Sequence, residues 1–294
     1  MSLPKLLSTF LLIFCAFTIN AQCYLSDYDS TLFIRDTLKP FLRRFENLNI
    51  SGYIQPQFQI AESEGAKSYE GGDFAEFSNN RFMLRRARLK ADYLLHSKEH
   101  HLPIALFTFQ FDATERGVAV RDMFLRLYEP EKHNFSFTIA LFARPFGYEV
   151  NLSSAYRETP ERGRMSQILM PVERDLGGMI TYESLNPNRK KLQLKWDVGF
   201  FNGQGLSDTT DFDKYKDFIT RLTLKSVAIG KWLTLSGSLS YFNGGWRQAT
   251  KYKYEMGEIG GRKIFVVYSS EANIGRKAPR IYYGADAQIA FSHD

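Results

Sequence analysis

The chain has 294 residues, a formal net charge of +6, 15% aromatic residues and 24% charged residues. After the N-terminal leader, no run approaches the ~18 consecutive apolar residues of a membrane helix, which excludes a helical membrane protein. A soluble all-β protein and an outer-membrane β-barrel both remain, and the positive charge is compatible with anionic partners.

Residues 1–21 have the features of a secretory signal peptide. Lys5 gives a basic start, residues 6–17 form a short apolar core, and Ala21 is a small residue suited to cleavage. Cys23 is then the only cysteine of the mature chain, so no internal disulfide is expected. A lipoprotein attached through Cys23 is the alternative, which is disfavoured because glutamine is a poor residue directly before a lipidated cysteine.

Residues 22–47 are predicted to form a mixed, loosely helical N-terminal segment in the periplasm. From residue 48 onward, the hydrophobic pattern has a period of two, which is typical of strands with one apolar and one polar face. In "NISGYIQPQFQI", residues 49–60, even positions are mainly apolar and odd positions are polar or tyrosine. The same alternation predicts ten strands, near 48–60, 79–95, 103–112, 118–129, 134–144, 174–184, 191–201, 217–228, 231–242 and 281–292.

The lengths of these strands and of their connections indicate a membrane protein. Most strands have 10–14 residues, whereas globular strands average about 5–6 and tilted membrane strands need about 9–11. Short and long connections largely alternate, as periplasmic turns and external loops do. Outward aromatics such as Tyr93 and Phe111 fall near strand ends, as in interfacial girdles. Residues 48–294 are therefore predicted to form a transmembrane antiparallel β-barrel, with a soluble β-sandwich as the alternative.

The stretch "NNRFMLRRARLKADYLL", residues 79–95, alternates cations with apolar and small residues. Arg86, Arg88 and Lys90 share one face, and an Arg or Lys facing lipid costs about 2–4 kcal/mol at the bilayer midplane. These three side chains are therefore predicted to line the lumen, where a row of cations gives an anion successive sites. Arg81 and Arg85 are predicted on the opposite face, near the outer end. The alternative is neutralisation by carboxylates of neighbouring strands, Asp92, Asp112, Asp122 and Glu129.

Two long connections are also rich in Lys and Arg. Residues 145–173 are predicted to fold into the lumen as a constriction, with an exposed loop of solvated ion pairs as the alternative. Residues 243–280 are predicted to be an external loop that acts as a basic funnel for anions. The candidate pore-lining anion-binding residues are Arg86, Arg88, Lys90, Arg126, Arg144, Arg157, Arg162, Arg164 and Arg174.

Five fragments carry a family resemblance: "RRARLKADY" (85–93), "LFARPFGYE" (141–149), "SSAYRETPERG" (153–163), "ERDLGGMITYE" (173–183) and "GFFNGQG" (199–205). In this order and spacing they resemble the phosphate-selective porin O and P family, outer-membrane porins here of a Bacteroidetes type. The resemblance implies a sixteen-stranded, homotrimeric porin whose third external loop folds inward and whose solute is phosphate or polyphosphate. With about ten strands present, it also implies that the barrel is incomplete at the C-terminus.

The predicted function is passive, anion-preferring diffusion across the bacterial outer membrane, without catalysis, cofactor or metal. The expected partners are outer-membrane lipid and inorganic anions such as phosphate. The alternatives are a barrel that is non-selective or takes another solute, and a soluble or surface β-protein.

Enzymatic, metal-binding and nucleic-acid roles are not favoured. A barrel hydrolase needs a histidine beside Ser or Asp on the outer wall, but the five histidines lie in turns or near the chain end, and no GxSxG or HExxH motif occurs. "HSKEHH" groups His96, His100 and His101 with a single carboxylate in a predicted turn. A nucleic-acid role is not expected, because the basic residues alternate within strands instead of clustering with stacking aromatics.

Overall fold

The computed structural model describes residues 47–67, 71–97, 102–157, 159, 161–184, 192–206, 210–229 and 232–291. The chain divides into two compact units, Met1–Asn49 and Ile50–Asp294. The predicted signal peptide, and all of the predicted N-terminal segment except residue 47, lie outside the described residues. The second unit holds the sheet and its connections.

The fold is all-β and is dominated by one antiparallel sheet of ten strands. Twelve strands are described in all: β1 Leu48–Ile60, β2 Asn80–His96, β3 Pro103–Thr114, β4 Gly117–Tyr128, β5 Phe135–Ala143, β6 Arg174–Glu183, β7 Leu194–Phe201, β8 Asp217–Ile229, β9 Leu233–Arg247, β10 Tyr252–Ile259, β11 Arg262–Ser269 and β12 Lys277–Phe291. The large sheet runs in chain order from β1 to β9 and ends with β12.

Helices are short and few in the part of the chain that the structure describes. They are α1, Tyr148–Asn151, α2, Arg164–Leu169, and a 3-10 turn, Glu271–Asn273. Among the described residues, no helix has the length and apolar character needed to cross a membrane.

All ten predicted strands are present in the large sheet, with ends that differ by a few residues. The prediction of one long loop over 243–280 is wrong, because β9 and β12 extend into this region and β10 and β11 form a separate hairpin there. Gly260 and Gly261 make its turn with φ of 61° and 73°, the left-handed conformation that tight hairpins require. The two strands of this hairpin were not predicted from alternation, because both of its faces mix charged with apolar residues.

One face of the large sheet, here called the outer face, is apolar and uncovered. Large side chains from seven strands are 42–64% exposed there, although a soluble protein rarely leaves such a continuous apolar surface open. They are Leu89, Phe109, Ile139, Ile180, Trp196, Leu222 and Leu239.

Aromatic residues of the outer face form rows near both ends of the strands. Phe200, Phe218, Tyr241 and Tyr283 are successive neighbours, with ring centroids 5.2, 6.4 and 5.3 Å apart. At the other end, Phe135 and Tyr182 lie 5.1 Å apart, and Tyr182 pairs across strands with Trp196. The outward aromatics therefore cluster toward strand ends.

The opposite, inner face is covered by the connection between β5 and β6, residues 144–173, here called the crossing segment. Ser154 lies 2.5 Å from the Tyr53 hydroxyl of β1, and the Gly147 amide donates to Ser240 of β9 at 3.0 Å. The ring of Phe146 packs 6.2 Å from that of Tyr282 on β12. The segment folds onto the polar side of the sheet, where it reaches both end strands; its predicted role as a constriction of a lumen stays a prediction.

An apolar cluster, here called the apolar seat, holds part of the crossing segment against the sheet. Phe146, Val150 and Met170 of the segment pack against inward side chains of the sheet. The inner face is therefore not polar throughout, because the segment needs an apolar surface on which to bury its own apolar residues. The sheet contributes Phe142, Met179, Phe201, Ile219 and Phe242, the last three at no more than 1% exposure.

Candidate anion-binding site

A cleft of about 510 Å³, here called the basic cleft, lies on the inner face between strands β2 to β4 and the crossing segment. Among the described residues that line it, seven are arginines and three are carboxylates, an excess of four positive charges. The arginines are Arg85, Arg86, Arg88, Arg121, Arg157, Arg162 and Arg174, and the carboxylates are Asp112, Glu161 and Glu173.

Glu173 is the centre of this arrangement, because four guanidinium groups contact its carboxylate. Arg157 and Arg162 lie 3.1 and 2.9 Å from Oε1, and Arg121 and Arg174 pair with Oε2. Burial disfavours the charged carboxylate, but the attraction of these arginines outweighs it and lowers the pKa of Glu173 to about 2. Glu173 therefore stays ionised and holds two arginines of the crossing segment to two arginines of the strands.

Arg121 reaches the cleft through a β-bulge. Gln110 of β3 pairs with Asp122, but the next residue, Phe111, pairs with Val120, so Arg121 is the extra residue on β4. A bulge turns two consecutive side chains toward one face. Arg121 then contacts Glu173, while Asp122 of the same face pairs with Arg174 at 3.1 Å. Simple alternation assigns Arg121 to the opposite face, which is why the sequence missed it.

Arg85 and Arg86 also depart from alternation. Both contact Glu161 of the crossing segment, Arg85 Nε at 2.6 Å from Oε1 and Arg86 Nη2 at 2.7 Å from Oε2. Arg81 likewise bonds Gln59, a residue of the polar set on β1, at 2.9 Å. The prediction that Arg81 and Arg85 lie on the other face is therefore wrong, because both side chains reach partners on the inner face, as Arg86 does.

An adjoining cavity of about 310 Å³ continues the basic surface along the inner face. It shares Arg88 and Arg174 with the basic cleft. Among its described lining residues, five are cationic and two are carboxylates, so the excess of positive charge persists. They are Arg88, Lys90, Arg126, Arg174 and Lys195, with Asp122 and Asp197.

Carboxylates partly neutralise the strand cations, as the alternative interpretation of the sequence anticipates. Arg88 lies 3.0 Å from Asp112, and Lys90 lies 2.7 Å from Asp92. Glu129 instead accepts from the backbone amide of Phe135. The excess charge of the basic cleft therefore comes largely from arginines outside the predicted ladder.

The remaining candidate residues lie in different surroundings. Arg126 lines the adjoining cavity and donates to Thr138 at 2.9 Å. Arg144 is 2% exposed and lines neither cavity, and it pairs with Asp175 and Asp217 at 4.0 and 3.9 Å. Burial lowers the pKa of Arg144, and its side chain also donates to the carbonyl oxygen of Val172 at the other end of the crossing segment. Arg164 is exposed at the start of α2 and also lines neither cavity.

The cleft suits oxyanions chemically. Guanidinium groups present planar forks of N–H donors that match the oxygen atoms of carboxylates and phosphates. The buried Nε atoms of Arg121 and Arg157 have no hydrogen-bond partner among the described residues. The internal ion pairs therefore leave these two buried N–H groups unsatisfied.

Comparison with protein-family models, curated proteins and solved structures finds no match. In the part of the chain that the structure describes, no three His, Cys, Asp or Glu side chains are grouped as a metal site. His100 and His101 of the "HSKEHH" stretch lie outside that part. The functional argument therefore rests on the geometry of the sheet and the cleft.

Proposed function

We propose that this chain forms the wall of a transmembrane β-barrel porin in the bacterial outer membrane. The uncovered apolar outer face, bounded by aromatic rows, supports lipid contact, since barrels carry such a band between two girdles. Closure of the sheet would turn its inner face into a pore wall and place the crossing segment within the pore as a constriction. The resemblance to the porin O and P family adds a homotrimer of sixteen-stranded subunits to this proposal.

We further propose that the pore prefers anions. The observation that carries this proposal is the basic cleft, in which seven arginines face three carboxylates beside the crossing segment. A positively charged constriction concentrates anions and raises the energy of cations. Phosphate or polyphosphate, the solute class implied by the resemblance, matches the guanidinium geometry. The channel needs no catalytic residue or cofactor.

A non-selective porin is the second candidate. The pairing of Arg88, Lys90 and Arg174 with Asp112, Asp92 and Asp122 favours it, because paired charges attract mobile ions less strongly. Conductance distinguishes the candidates. The complete gene product in a planar bilayer is expected to form channels in KCl whose current is blocked by added phosphate. Channels that phosphate leaves unchanged would support the non-selective porin, and the absence of channels would contradict both candidates.

A further inference from the structure

Glu161, in the crossing segment, pairs through its carboxylate with two arginines of strand β2 in the basic cleft. Its two oxygen atoms are divided between Arg85 and Arg86, at 2.6 and 2.7 Å. Each contact is a charge-assisted hydrogen bond of the kind that a free oxyanion would make. The Glu161 carboxylate therefore occupies the position at which a small anion in the cleft would bind Arg85 and Arg86.

Glu161 and Glu173 differ in how firmly they are held. Glu173 is contacted by four arginines and its side chain is 10% exposed, whereas Glu161 is 22% exposed. Arg86 is 7% exposed, so its separation from Glu161 is costly unless another anion takes the place of the carboxylate. Glu161 has two arginine partners where Glu173 has four, and it is the more exposed of the two carboxylates, which leaves Glu161 as the exchangeable carboxylate of the cleft.

There is space for Glu161 to move away. It also lines a neighbouring cavity of about 680 Å³, on whose walls lie Gln57, Gln59 and Glu149. Among the described residues of that cavity, Arg162 is the one cation. A carboxylate that leaves Arg85 and Arg86 thus has open space beside it, while the basic cleft of about 510 Å³ has room for a hydrated anion.

We propose that Glu161 is a tethered internal ligand of the arginine site, which a free oxyanion displaces, and that Glu161 thereby sets the anion affinity of the cleft. The inference deepens the anion-channel function proposed above and rests on it. Without Glu161 the cleft would hold anions more tightly and release them more slowly. With it, binding is strong enough for entry and weak enough for exit, as conduction requires.

The test is equilibrium binding of inorganic phosphate to the full chain, folded in a zwitterionic detergent at fixed ionic strength and measured by calorimetry. Glu161→Gln removes the competing charge but keeps the size of the side chain. It is expected to bind phosphate about tenfold more tightly than the wild type, which corresponds to about 1.4 kcal/mol. The matched control is Glu271→Gln, which removes an exposed carboxylate that pairs with Lys251 outside the cleft and should leave phosphate affinity unchanged.

Two further variants make the test independent of a general charge effect and of folding. In an Arg85→Gln/Arg86→Gln background, the gain from Glu161→Gln should disappear, because the site for which Glu161 competes is gone. Glu161→Asp keeps the negative charge and should bind phosphate nearly as the wild type does, which provides a comparison should the Gln variant fold poorly. A Glu161→Asp variant that binds as tightly as expected for Gln would overturn the proposal.

Other outcomes are equally decisive. Unchanged or weaker phosphate binding in Glu161→Gln would overturn the proposal, as would a gain that persists in the Arg85→Gln/Arg86→Gln background. Bilayer conductance of the same preparations separates this inference from the porin function. Conductance with unaltered phosphate affinity in Glu161→Gln would refute the role of Glu161 alone. A gain in affinity without conductance would refute the channel and leave the internal ligand in place.

Discussion

Glu173→Gln is expected to release the crossing segment from the inner face. Glutamine resembles the protonated carboxyl group, so the cost of the change follows from the pKa of Glu173. That pKa falls from the ordinary value of 4.5 to about 2, and at about 1.4 kcal/mol per pKa unit the ionised form contributes on the order of 3 kcal/mol. A loss of this size raises the population of the detached segment on the order of 100-fold.

Limited proteolysis of the folded protein measures this population, because cleavage follows the equilibrium fraction of the open form when closing is fast. Trypsin cleaves after arginine, and Arg157, Arg162 and Arg164 lie within the segment. We expect Glu173→Gln to be cut there on the order of 100-fold faster than the wild type, with Glu271→Gln as the unaffected control. Equal cleavage rates in wild type and Glu173→Gln would refute the assignment of Glu173 as the anchor.

The attachment of the crossing segment should also depend on pH. The folded-state pKa of Glu173 is lower than the ordinary value, so its stabilisation is complete above about pH 4.5 and is lost as the pH falls through about 2. Pepsin, which acts in acid, should therefore cut the wild-type segment progressively faster between these pH values. The contribution of residue 173 to this rise should be absent from Glu173→Gln.

Two other substitutions test the apolar seat and the shared arginine. Phe201→Ala removes a ring that is 1% exposed in the inner cluster, so it should lower the free energy of unfolding by about 3–5 kcal/mol and expose the segment to trypsin. The matched control is Phe200→Ala, since Phe200 lies on the outer face and is 59% exposed. An equal effect of the two substitutions would contradict the assigned faces. Arg88→Gln should lower the anion preference of the proposed channel, since Arg88 lines both cavities and its loss leaves Asp112 without that partner. The control is Arg164→Gln, at an exposed position, which should change the reversal potential far less. Equal shifts of the reversal potential would show that the cleft does not control selectivity.

The sequence was sufficient for the strands of the large sheet, because each long strand repeats the same two-residue alternation many times. It also indicated that the crossing segment folds inward. The apolar seat was not predicted; in the structure, Phe201 and Ile219 share a face with the buried polar residues Asp197 and Asp217. These positions mark where an otherwise polar face receives the segment.

The detailed site could not be predicted from alternation. The bulge at Arg121 shifts the facing of the residues beyond it by one position, and the consecutive Arg85 and Arg86 both reach the same carboxylate. Such irregularities depend on pairing with neighbouring strands, which a period within one strand does not contain. The contacts of Glu161 and Glu173 are long-range in the same sense, because they arise only when the crossing segment has docked.

The central claim is that the inner face lines a pore that prefers anions. Its most direct test is the reversal potential of the complete gene product in a planar bilayer across a tenfold KCl gradient. We expect a potential with the sign of chloride selectivity, which moves toward zero in Arg88→Gln. A potential near zero or of the cation-selective sign in the wild type would contradict it.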